Sequence, residues 1–251
     1  MNKITSKRAK LSDVLKVKSN KSFHTFFFEN SLSLYQSTLK NKKDFGSVLA
    51  LGANEREAEE LVKYPFSKIV LSGITSVNEK IKEVIRKDKR VLYVRQNIEK
   101  ISFKEGSFDL VFVKEAIHHV ARPVLGLYEM LRVAKKGVIF IEPQESLFGN
   151  IFDKFGLTSQ YEKNQIGNLK FRDNFVYRWR KKEIIKLLNS YYLNSGYNVY
   201  FKSCWMSNRY NLKFESLIRL LNFLGWLISF IPGNKGNYLI CFIVPGKDLP
   251  K

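Results

Sequence analysis

The stretch Asn97–Pro143, NIEKISFKEGSFDLVFVKEAIHHVARPVLGLYEMLRVAKKGVIFIEP, decides the fold through two changes of periodicity. Phe108–Lys114 and Val138–Gln144 are short, nearly continuous apolar runs. Between them, Pro123–Lys135 has the marks of a helix. Proline stands in the first turn, Val124, Leu127, Tyr128 and Leu131 recur at helical spacing, and Lys135-Lys136-Gly137 forms the exit. Apolar runs joined by helices are strands of a parallel sheet covered on both faces.

The same alternation continues upstream. Ser47–Gly52, Lys68–Gly73 and Arg90–Arg95 read as strands, and Glu55–Tyr64 (closed by Pro65) and Val77–Lys87 as helices. Downstream the pattern loosens, giving a helix over Arg180–Asn189 and strands over Tyr197–Ser203 and Gly236–Pro245. The predicted fold is therefore α/β: a doubly wound, mostly parallel, seven-stranded sheet with one antiparallel edge. Insertions at about 145–178 and 204–235 hang from it after strands five and six. Residues 1–43 read as a basic N-terminal arm followed by a helix over Phe26–Leu39, and 44–251 as the α/β domain.

Composition bounds the rest. The 251 residues carry 43 Lys+Arg against 23 Asp+Glu, a formal charge of +20. That charge points to an anionic partner or to compositional drift, since 31 of the 43 cations are Lys, without the bidentate fork of Arg. Cys204 and Cys241 are too few for a disulfide scaffold and suit a reducing, cytoplasmic setting. Neither has a Cys or His partner at metal-ligand spacing, so no metal is expected. The basic N-terminus lacks the apolar core of a secretory signal. The apolar stretch Leu217–Ile231 is shorter than the roughly 20 residues that span a bilayer and is expected to be a core or capping helix, the alternative being an interfacial one.

In an open parallel sheet, ligands bind beyond the carboxyl ends of the strands. The segments concerned begin at Gly52, Gly73, Gln96, Lys114 and Glu142. They supply Leu51, Gly52, Ala53, Gly73, Asn97, Ile98, Lys114 and Glu115 as candidate cofactor contacts. The titratable candidates are His118 and His119 past strand four and Glu142 at the end of strand five. His24 has no motif around it and reads as structural.

Several blocks along this stretch, Ile101-Ser102-Phe103, Ser107-Phe108-Asp109, His118-His119-Val120, Tyr128-Glu129-Met130, Arg132-Val133 and Glu142-Pro143, stand in the order found in class I S-adenosylmethionine-dependent methyltransferases. Residues 45–145 closely resemble the small-molecule methyltransferase domain of that family. The resemblance implies S-adenosylmethionine as cofactor and an acceptor site built from the two insertions. The chain departs from the pattern at Leu51-Gly52-Ala53-Asn54, where only the first glycine of the loop is kept. It also departs at Gly73, where the family has a ribose-binding acid, and at Asn97, where an acid usually faces the adenine. Asn97 retains an acceptor oxygen for that hydrogen bond.

Tyr161, Tyr177 and Trp179, interleaved with the basic run Lys170–Lys182, are candidate acceptor contacts that stack rings and hold anions. The expected acceptor is a small molecule, a glycan or a lipid-linked molecule, with possible peripheral contact to anionic membrane. No separate nucleic-acid-binding module is visible. The expected activity is O-methylation, and the alternative is a non-catalytic binding or scaffold protein of the same fold.

Overall fold

The computed structural model describes residues 2–155, 161–162, 165–166, 169–170, 174–192, 196–206 and 214–246. The two apolar runs of the deciding stretch become β5 (Phe108–Lys114) and β6 (Ala134–Pro143), joined through α5 (Pro123–Val133). They pair in parallel, with Leu110 opposite Gly137 and Lys114 opposite Ile141. The helix stops two residues short of Lys135, because Ala134 already enters the sheet. Gly137 is required there: a Cβ would meet the Phe242 ring at 2.6 Å.

The remaining strands are β1 (Lys3–Arg8), β2 (Ser47–Leu51), β3 (Lys68–Gly73), β4 (Val91–Arg95), β7 (Tyr197–Cys204) and β8 (Tyr238–Pro245). Their order across the sheet is β1-β7-β8-β6-β5-β2-β3-β4. β8 runs antiparallel to both β6 and β7. Among the described residues the main sheet has eight strands rather than the expected seven. The additional one is β1, in the segment expected to be an arm, which pairs in parallel with β7 from Lys3–Asn198 to Arg8–Ser203. The outer edge of β7 offers unpaired backbone groups, and the Lys-rich β1 satisfies them while leaving a charged strand outermost.

Alternation along the strands builds two cores. Val48, Ala50, Phe112, Ile139, Ile141, Ile240 and Phe242 face one side, and Leu49, Leu51, Val111, Val113, Phe140 and Leu239 the other. The first face is covered by α2 (Asn20–Thr38) and α3 (Glu55–Leu61). α2 begins six residues earlier than expected: Ser19 caps it, with Ser22 bonding back in a capping box. It buries Phe23, Phe27, Phe28, Leu32 and Tyr35, and Phe28 stacks on Phe112 at 4.9 Å. The second face is covered by α5 and α7 (Lys181–Tyr191).

Polar and charged residues of the deciding stretch serve as staples. Asp109 accepts from Ser47 N and Oγ at 2.8 and 2.9 Å and pairs with Lys136 at 2.8 Å, tying three strands together at their amino ends. Arg132 donates to the carbonyls of Ile101 and Phe103 at 2.8 and 2.9 Å. Glu129 accepts from Ile101 N at 2.8 Å.

Candidate active site

The carboxyl ends of β2, β3, β5 and β6 meet on one side of the sheet. At β2 the chain turns through Gly52, whose φ of +61° lies in the left-handed region. Two demands make it glycine, the backbone angle and the approach of Ala116, whose Cβ a side chain would strike. Leu51 and Ala53 are buried, and Ala53 N donates to Ser72 O at 2.8 Å, joining the ends of β2 and β3. Asn54 then caps α3, its carboxamide oxygen accepting from Arg56 N at 2.8 Å.

At the end of β3, a Cβ on Gly73 would come within 2.8 Å of the Tyr93 hydroxyl. A carboxylate from α3 reaches the segment that follows this strand. Glu55 reaches across to Asn78 Nδ2 at 3.3 Å and Lys80 Nζ at 3.4 Å, beyond the β3 turn. Its own backbone N–H at the α3 amino terminus, and after it the Asn78 and Lys80 contacts, hold its carboxyl below the usual carboxylate range. Gln96 N donates to Gly73 O at 3.1 Å, so Ile74 and Asn97 leave the sheet side by side. Ile74 is 61% exposed, an apolar shelf at the strand end. Asn97 closes its own turn, accepting from Glu99 N at 2.9 Å, while Ile98 is buried beneath.

β5 delivers a buried ionic cluster. Lys114 pairs with Glu115, whose other oxygen accepts from the Tyr238 hydroxyl at 2.7 Å. Glu115 has φ +50°, the only non-glycine positive φ among the described residues. The Lys114 ammonium lies 5.6 Å from the Phe23 ring centre on α2. Next to it, His24 Nε2 is 2.8 Å from Arg56 Nη1. Burial, with the Lys114 charge second, pushes the His24 pKa down to about 4, which keeps the ring neutral. Lys114 and Glu115 were expected at this strand end, but their grouping with His24, Arg56 and Tyr238 follows no local pattern, because the members lie on α2, α3, β5 and β8.

The strongest geometric feature is Glu142. It is wholly buried at the end of β6, and one carboxylate oxygen accepts from Ala116 N at 3.0 Å and Ile117 N at 3.1 Å. The other is bonded to His118 Nδ1. Glu142 therefore shapes the turn Ile117–His119 and orients one imidazole; with Nδ1–H donating, Nε2 is the basic nitrogen. His119 is exposed and its ring lies 4.1 Å from that of His118.

Beyond β6 opens a cavity of about 630 Å³, lined by Phe175, Tyr177, Arg180, Lys182, Glu183 and Lys186 among others. The two-residue strand Asn174–Phe175 packs against the His118 turn, placing the cavity beside the histidines. Tyr177 lines the cavity and its hydroxyl is bonded to Glu183. Trp179 is different: it is fully buried against Phe140 at 5.3 Å, and its backbone bridges to Pro143 O and Glu145 N. Its ring is core and does not face an acceptor, because the strand-like bridge to Gln144 turns it inward. Tyr161 begins a two-residue strand paired with Asn174–Phe175; its side chain lies outside the described residues.

The order β4-β3-β2-β5-β6-β8-β7, with β8 reversed, carries the loops on which the resemblance rests. A sequence profile described as "Methyltransferase domain" matches residues 51–141, from the end of β2 to the end of β6. The fold is that of the class I methyltransferases. No curated protein matches the chain by sequence. Among solved structures, a chain of the Haloferax volcanii complex containing the Trm112 methyltransferase activator is 10% identical. It has a TM-score of 0.56, over 92% of this chain and 95% of that one. YcgJ from Bacillus subtilis is 14% identical with a TM-score of 0.53, over 88% and 100%. The 1,6-didemethyltoxoflavin-N1-methyltransferase of Burkholderia thailandensis, solved with 1,6-didemethyltoxoflavin and S-adenosylhomocysteine, is 10% identical with a TM-score of 0.52, over 88% and 79%.

In a methyltransferase fold the cofactor contacts come from these loops, and the residues present fit such a group with altered donors. The left-handed Gly52 turn, the Glu55 carboxylate beside the β3 end and the exposed Ile74 shelf supply backbone, acid and apolar surface. Among the described residues no helix is long and apolar enough to cross a membrane.

Proposed function

We propose that the protein transfers a methyl group from S-adenosylmethionine to a hydroxyl oxygen of a small-molecule, glycan or lipid-linked acceptor. The Glu142–His118 pair carries this reading: a buried carboxylate is bonded to one buried imidazole at the carboxyl end of the sheet, under the Asn174–Phe175 strand, whose Phe175 lines the cavity. When bound, the cofactor supplies an electrophilic methyl carbon on a sulfonium, so the chain's own task is to hold and deprotonate the nucleophile. Gly52, Ala53 and Glu55 face the cofactor loops, with Asn97 and Ile98 on the far side and Lys114–Glu115 beneath. Phe175 and Tyr177 offer ring surface to the acceptor, and Lys182 and Lys186 a positive wall. His118 is 1% exposed, so the acceptor hydroxyl reaches Nε2 only as the side chains around it yield; Nε2 then takes the proton while Glu142 stabilises the resulting imidazolium.

The test has two stages. S-adenosylhomocysteine at a hundred times its dissociation constant should raise stability by about 2.7 kcal/mol. Turnover on a panel of phenols, sugars and polyprenyl-phosphate sugars should then fall on the order of 100-fold in His118→Asn, with the thermal shift by S-adenosylhomocysteine retained.

A second reading, a non-catalytic binding protein of this fold, is favoured by the strand-end turns, where Ala53 and Asn54 follow Gly52 and Gly73 stands where the resemblance calls for an acid. Absence of any shift with millimolar S-adenosylhomocysteine would select it.

A further inference from the structure

Helix α8 (Glu215–Ile228) was expected to be buried in the core or to cap it, yet it does this on one side only. Ile218, Asn222, Gly225 and the following Ser229 face inward, with Asn222 donating to Val17 O at 3.3 Å. Gly225 is needed there, since a Cβ would collide with the Trp205 ring. On the opposite side Leu217, Leu220, Leu224, Leu227 and Ile231 recur at spacings of three and four and are all exposed, Leu220 at 52%. An apolar stripe of this length is unusual on a surface facing only water.

The surroundings say what covers it. α1 (Leu11–Leu15) packs against α8 and belongs to a segment, residues 1–22, with seven Lys/Arg and one Asp. Arg8 lies 3.9 Å over the Phe230 ring and donates to Ser229 O at 2.7 Å, bringing the basic edge strand to the end of the stripe. Lys18 reaches Glu215 at the other end, at 3.6 Å. A second copy of the chain would bring two such basic segments together in a molecule already at +20, which opposes self-association. A surface that is apolar at depth and anionic at its boundary complements both features.

We propose that the α8 stripe docks on an anionic lipid bilayer, lying in the headgroup plane with its leucines at acyl depth and the residue 1–22 cations on the phosphates. The inference does not depend on the methyl-transfer reading, because none of these residues belongs to the candidate active site.

The full chain is tested by flotation with phosphatidylcholine vesicles and with vesicles containing about 30% phosphatidylglycerol. Wild type should bind the anionic vesicles on the order of tenfold more tightly, with the preference shrinking as salt is raised. Leu220→Ser/Leu224→Ser should lose on the order of tenfold in binding at unchanged melting temperature. Leu92→Ser, an exposed apolar side chain on β4, should bind as wild type. The proposal is overturned if wild type fails to bind anionic vesicles, or if the double-serine variant binds them equally well. It is also overturned if wild type proves dimeric through the stripe, or if single-stranded RNA binds and displaces the vesicles regardless of the leucines.

Discussion

His24 shows how one buried side chain couples the site to stability. Its Nε2 faces Arg56 and its pKa is depressed to about 4, against an ordinary value of 6.5. Because the folded pKa is the lower one, the unfolded chain binds the proton more readily. The stabilisation is complete above about pH 6.5 and is lost as pH falls toward 4. The urea midpoint should therefore drop over that window, and His24→Phe should flatten part of the drop relative to wild type. Glu142 was legible in the sequence as a strand-end carboxylate, but its two oxygens could be assigned only once Ala116, Ile117 and His118 were placed around it. Trp179 misled for the converse reason. A tryptophan among Arg and Lys looks like a stacking platform, yet a backbone bridge to Gln144 turned it into core.

The helices and strands of residues 47–143 were readable because each buries a local, periodic pattern. α2 was only half readable. Its first turn, Asn20-Lys21-Ser22, is polar, and its start is set by the reciprocal Ser19–Ser22 bonds. Ser19→Ala should destabilise the protein by about 1 kcal/mol, measured by urea denaturation, through loss of that cap. The end of α5 was misread by two residues and the start of β6 by four, because Ala134 and Lys135 continue a helical pattern that pairing with Phe108 interrupts. β1 was invisible in the sequence. Lys3–Arg8 is too charged to look like a strand, and it forms one because the edge of β7 supplies the hydrogen-bond partners.

For the molecule as a whole, β1 closes the sheet and joins the N-terminus to the far end of the chain. Removing residues 1–8 should expose the β7 edge, lower the melting temperature and promote concentration-dependent association, read by light scattering. The +20 charge is unevenly placed. It is concentrated near α8 by residues 1–22 and near the cavity by Arg178–Lys186, whereas the buried Lys114 and Glu57 lie with the half-buried Glu115 and the exposed Arg56 in a cluster whose charges oppose one another. The second of these regions lines the cavity beside the turn that carries the Glu142–His118 pair.

Local periodicity and the ordered blocks along residues 97–143 were enough for an α/β sheet of methyltransferase type, since burial on both faces of parallel strands writes itself into contiguous residues. The additional strand β1, the outward stripe of α8 and the His118–Glu142 pair depended on contacts between segments 24 to 221 residues apart. Those contacts follow from which sheet edge is open and which helix face finds a neighbour, and neither is encoded within any one segment.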